Sequence, residues 1–196
     1  MMRKPSSRAS DETTRAGARR KWLAAFWKAE GAQLLEFALM LPLLLVLATG
    51  IMDFATAYNT KQKLNNAARE GARLGTSQPM SDLTQVAPPS VQVIRDEVVT
   101  YLNNANVDTS FIGPTMTAAG GFTWTYYSSG TYGLKIERVV QVPATGGGLI
   151  PSTRVTLNYA YNWTFGFNRM IGFLAPGANY GGTIAIQTDA TMQNLP

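Results

Sequence analysis

Apolar positions along the chain fall into two regimes. From Ala32 to Met52 they run almost without a break for 21 residues, and beyond Asp53 they become periodic. A run of that length makes about 31 Å of helix at 1.5 Å per residue, matching a hydrocarbon core of about 30 Å, so it predicts a membrane-spanning helix. Pro42 lies inside the run. Its ring clashes with the carbonyl of Ala38 and it donates no N–H, which predicts a kink that a neighbouring helix can cover in lipid. Asp53 marks the exit from the membrane.

After Asp53 the helix is expected to continue to Gly75. Phe54, Tyr58, Leu64, Ala68 and Ala72 recur at helical spacing among Asn, Lys, Gln and Arg, and Glu70 can pair with Arg73 at i, i+3. Ala67, Gly71 and Gly75 form a small-residue stripe that lets another element approach the backbone, with the protein's own sheet as the expected neighbour. Residues 76–89 read as a linker. Ser90 is placed to cap a second helix whose apolar face is Val91, Ile94, Val98, Tyr101 and Leu102.

The remainder alternates. Phe122, Trp124 and Tyr126 predict one strand, and Leu134 to Val142 another, with a bulge near Glu137–Arg138. Thr153 to Phe165 predicts a third and Thr183 to Met192 a fourth, with an apolar loop or short helix over Gly166 to Gly182 and a hairpin tip at Gly146-Gly147-Gly148. Three or four antiparallel strands with one apolar face need a cover, which the outer half of the long helix and the second helix supply. The expected fold is α+β: a long N-terminal transmembrane helix continuing outside the membrane and packing, with a second helix, on a small antiparallel sheet. The expected organisation is a leader (1–31), the transmembrane helix with its extension (32–78), and an extracytoplasmic domain (79–196).

Charge sharpens this picture. Residues 1–31 carry eight basic and three acidic groups, whereas the rest of the chain carries nine of each, so the net charge of +5 belongs to the leader. That asymmetry argues for a cytoplasmic N-terminus and a single-pass topology, and against nucleic acid as a partner. Residues 1–20, rich in Arg, Ser, Thr and Ala, predict no regular structure, and the stretch Lys21 to Lys28 holds Trp22, Leu23, Phe26 and Trp27 at a spacing suited to the inner leaflet. Cysteine and histidine are absent. Disulfides, thiolate nucleophiles, imidazole bases and the common zinc sites are thereby excluded, and no metal or cofactor is expected. Catalysis by carboxylates, Ser, Lys or Tyr stays open, with an exported enzyme as the rival reading, but no pair of carboxylates stands in a hydrolytic context and the chain reads as a non-enzyme.

The one charge within the apolar run is Glu36, five residues after Gly31. A carboxylate there costs about 2.5–3.5 kcal/mol at mid-bilayer on insertion scales and marks function by default. Gly31, Glu36, Phe37 and Pro42 form a G-x₄-E-F-A-x₃-P frame, followed by A-A-R-E-G-A-R over Ala67 to Arg73. In these features the sequence resembles the TadE-like minor pseudopilins of the tight-adherence (Flp pilus) machinery, over residues 31–75 and more loosely at the final strand. Major Flp pilins usually carry Glu-Tyr and are very short, so Glu36-Phe37 and the long outer domain favour a minor component.

The resemblance implies a protein of the bacterial inner membrane, cleaved by a prepilin peptidase between Gly31 and Ala32. It implies assembly through Glu36, Phe37 and Pro42 with other pilin or pseudopilin subunits on an inner-membrane platform. After cleavage Glu36 lies about 7 Å inside the new terminus, where it can pair with a neighbouring subunit's α-amino group and fix the axial stagger. The alternatives are an uncleaved single-pass anchor with an outer binding domain, and release at Ala48-Thr49-Gly50 to give a soluble protein starting at Ile51. Tyr126, Tyr127 and Tyr132 are the expected exposed aromatics for partner contact.

Overall fold

A computed structural model describes residues 9–143, 147–177 and 182–194, with side chains described from residue 31 onward except those of 173 and 174. The expectations for residues 1–8, for the aromatic side chains of Lys21 to Lys28 and for Gly146 lie outside the described residues. The chain divides into two units, residues 1–48 and residues 49–196.

Helix α1 spans Ala9–Ser77 and contains Pro42. It is helical from Ala9, where composition alone predicts no regular structure. No proline interrupts residues 6–41, and that stretch is rich in Ala, Arg, Lys and Glu, all strong helix formers. From Gly31 onward α1 is long and apolar enough to cross a membrane. Its apolar side chains between Leu34 and Leu47 are largely exposed, as expected of a segment whose solvent is lipid.

Residues 49–196 form an α+β unit. Helix α2 (Pro89–Asn104) is followed by five strands: β1 (Ile112–Gly120), β2 (Thr123–Ser129), β3 (Tyr132–Pro143), β4 (Leu149–Asn162) and β5 (Thr183–Gln193), with helix α3 (Phe167–Leu174) between the last two. The sheet is an antiparallel meander in the order β1-β2-β3-β4-β5. Its covered face carries Trp124, Tyr126, Leu134, Ile136, Val155 and Leu157, and Leu64, Ala68 and Ala72 of α1 and Val91, Ile94, Val98 and Leu102 of α2 join the same core.

Four local differences from the sequence reading have physical causes. Strand β1 was not expected: it is an edge strand, mostly exposed, carrying Pro114 and lacking alternation, which suits an edge but leaves no pattern. Phe122 lies outside β2; it turns the β1–β2 hairpin at φ 59° and is exposed. Strand β4 stops at Asn162 rather than Phe165 because the amides of Thr164 and Phe165 leave the sheet for a carboxylate. Helix α2 is not capped by Ser90. Asp82 in the linker instead accepts hydrogen bonds from the Ser90 N–H (2.8 Å) and hydroxyl (2.9 Å).

The expected bulge is present. The β3–β4 register shifts between Glu137 and Val140, and Val139 has φ 62°. It turns Arg138 inward until the residue is only 1% exposed, and its Nη2 donates to the Gln78 carbonyl at 3.0 Å. Burial lowers the guanidinium's pKa and the Asp82 carboxylate opposes that shift, so one buried cation ties β3 to the linker that follows α1.

Candidate functional site

Two stretches of α1 carry the residues of interest. In the first, Gly31, Ala32, Glu36 and Phe37 are all exposed, and Pro42 is partly covered. A Cβ built on Gly31 meets nothing within 4 Å, so the backbone there is open to another protein. Glu36 has no ion-pair partner among the described residues. The chain stays helical on both sides of Pro42.

In the second stretch the helix meets its own domain. Ala67 is fully buried. A Cβ on Gly71 would stand 2.5 Å from Val98 Cγ2, and one on Gly75 would stand 2.7 Å from Thr153 Cγ2, so α2 and β4 press directly on the α1 backbone. On the exposed side, Glu70 and Arg73 form their i, i+3 ion pair.

Between these stretches lies Asp53, fully buried although it directly follows the apolar run. Its Oδ1 accepts the N–H groups of Thr164 and Phe165, each at 2.8 Å, and its Oδ2 accepts that of Phe167 at 2.9 Å. Burial pushes this carboxyl's pKa up, but the amides of Phe165, Phe167 and Thr164 together outweigh it and hold the pKa below the ordinary value of 3.8. Around the clamp the Phe54 ring stands edge-on to Trp163 and Phe167, each at 5.6 Å between centroids. The Tyr161 and Thr56 hydroxyls meet at 2.6 Å. Sequence reading placed Asp53 at the membrane exit without giving it a partner. The available signal was a carboxylate directly ending an apolar run, which needs donors unless it faces water.

The aromatic expectation needs correction. Tyr126 is 3% exposed and lies under the Arg95 guanidinium, 5.7 Å from its ring centroid. Burial pushes its phenol up to about 12, so it belongs to the core. Tyr132 is partly buried, and Tyr127 alone of the three is exposed.

The described residues line several clefts. One of about 450 Å³ lies between α2 and β1–β2, lined by Arg95, Asp96, Met116 and Tyr126 among others. Another of about 520 Å³ lies beside α3, lined by Trp163, Phe165, Asn168, Arg169 and Met170 among others. Among the described residues no group of Asp and Glu could hold a metal ion.

Residues 31–73 match the family model described as TadE, TadE-like protein, which is the family the sequence resembles. The match covers the exposed glycine, Glu36, Asp53 and the stripe as far as Gly71. No curated protein and no solved structure gives a match.

Proposed function

We propose that the protein is a minor pseudopilin of a tight-adherence pilus, cleaved by a prepilin peptidase between Gly31 and Ala32 and assembled through α1. The observation that carries this reading is the coincidence of the family match with an uncovered helix. The matched segment opens on a glycine with free space around it and continues through apolar side chains that nothing in the chain's own described fold buries. Such a surface is at ease in lipid and, after extraction, against other apolar helices.

In this mechanism the leader keeps the N-terminus in the cytoplasm, where the peptidase reaches Gly31. Hydrolysis of the Gly31–Ala32 bond gives a new α-amino group at the start of the apolar helix. Glu36 of one subunit pairs with that group on its neighbour, so each charge offsets the other's desolvation and the stagger between helices is fixed. Pro42 places a missing backbone donor where adjoining helices pack. The assembly platform draws the helix from the inner membrane, and the α+β unit is carried outside as a minor component. Association does all the work, and no cofactor takes part.

The test is the N-terminal sequence of the protein recovered from its native envelope. A start at Ala32 supports prepilin-type processing. An intact Met1 favours an uncleaved anchor with an outer binding domain. A start at Ile51 discards the pseudopilin mechanism.

A further inference from the structure

We infer that α3 and the loop before it form a second membrane contact, an interfacial collar lying on the outer leaflet beside the point where α1 leaves the lipid. The inference rests on the membrane-inserted state of the proposed function but not on processing or assembly.

The first argument is depth. If Ala32 to Met52 fills the hydrocarbon core, residues 49 and 50 lie within about 5 Å of its outer boundary at 1.5 Å per residue. Helix α3 touches those two residues and, just past the boundary, Asp53 and Phe54. The Thr49 hydroxyl donates to Met170 Sδ at 3.6 Å. A Cβ on Gly50 would stand 2.8 Å from the Phe167 ring, so only a glycine lets that ring lie so close. A segment held against residues 49 and 50 therefore sits at the interface whenever the run is in the membrane.

The second argument is chemistry. Residues 163–182 contain one charge, Arg169, and no carboxylate, together with Trp163, Phe165, Phe167, Met170, Ile171, Phe173 and Leu174. Phe165 is 47% exposed, and the neighbouring Ile51 of α1 is 63% exposed. Exposed aromatic and aliphatic side chains beside a membrane span, with a lone exposed cation on the same element, match an interfacial segment whose apolar face lies about 5–10 Å into the headgroup boundary and whose cation meets anionic headgroups. Asp53 completes the device. Its three amide donors hide the Asp53 carboxylate and pin the loop, so the collar cannot lift away without baring a charge to lipid.

The chain has no cysteine, so a nitroxide can be placed at one chosen site in the full-length protein. Phe165→Cys and Ile171→Cys, spin-labelled and reconstituted in vesicles of phosphatidylethanolamine and phosphatidylglycerol, are compared with Leu149→Cys. Leu149 is also exposed and apolar, but it begins β4, whose far end is Asn162, thirteen residue steps or about 43 Å away along the strand. The expected result is a ratio of oxygen to water-soluble nickel-chelate collisions several-fold higher at 165 and 171 than at 149. Equal ratios at all three sites would place the loop in water and overturn the collar. Low collision rates with both reagents at 165 and 171, with dipolar broadening between labels, would assign the face to a second copy and overturn it as well. If the native protein keeps Met1, pilin processing fails while the collar still stands or falls on these ratios.

Discussion

Residues 31–52 and 53–77 of α1 share a helix and obey opposite rules. In the first stretch nearly every side chain is apolar and nearly every one is exposed, so the sequence there is fixed by what lies outside the fold. In the second, beyond the buried Asp53, the buried positions are small: Ala67, Ala68, Gly71, Ala72 and Gly75, with Leu64 the one large buried apolar residue. Bulk in the first stands outside the fold, and its absence in the second lets α2 and β4 close on the backbone. The same glycine means free access at Gly31 and forced contact at Gly71.

Substitutions at the junction and on either side can break or sharpen this contrast. The largest loss of stability is expected at the junction. Asp53→Ala leaves three amides without their acceptor, which costs about 3–5 kcal/mol in all, read as a lowered urea midpoint for the full chain in detergent micelles. An unchanged midpoint would deny the clamp. Because the folded carboxyl titrates below its ordinary 3.8, its contribution is whole above that value and is lost as pH falls through the lower folded value. Asp53→Asn, which does not titrate, should flatten that acid limb.

A matched pair comes next. Gly71→Leu drives a side chain into Val98, and the overpacking costs about 1–3 kcal/mol in the same assay. Gly31→Leu should leave the midpoint alone and instead stop processing, so that envelope protein keeps Met1; if both variants unfold alike, the contrast between the stretches fails. Glu36→Ala should change stability by less than about 0.5 kcal/mol, as an exposed position does. It should nonetheless lower recovery of the protein with sheared pili, and undiminished recovery would remove Glu36 from assembly. The smallest effect belongs to Glu70→Ala, about 0.2–0.5 kcal/mol for one helix-surface ion pair, fading in high salt.

What was legible in the sequence follows the same division. The apolar run rests on its unbroken length, whereas the extension of α1, the face of α2 and strands β3, β4 and β5 rest on periodicity, which burial on one side imposes directly. The Glu137–Arg138 break in alternation located the bulge because an extra residue there must shift the register. Edge strand β1 left no pattern since most of its positions, on both faces, are exposed. The aromatic reading of Tyr126 failed because alternation gives the period of a strand but not which of its faces the helices will cover. The Asp53 clamp was hidden for another reason: its donors lie more than a hundred residues away and are backbone amides, which no side-chain pattern encodes. The frame around Gly31 and Glu36 was visible as a motif alone, and it lies within the segment that matches the TadE-like model.

The clamp also has a mechanical meaning. A subunit drawn out of a bilayer by its helix is a body under tension, and load enters the outer domain where the helix is first fastened to it. That fastening begins with the Thr49 contact to Met170 and is completed at Asp53, where one carboxylate takes three amides from a single short loop. Bonds gathered on one side chain share a load in parallel and yield together, whereas bonds strung along a strand edge give way in succession. Under the proposed assembly, a pull on the helix therefore meets a rivet before it meets a zipper, and the meander behind it is spared the first strain of extraction.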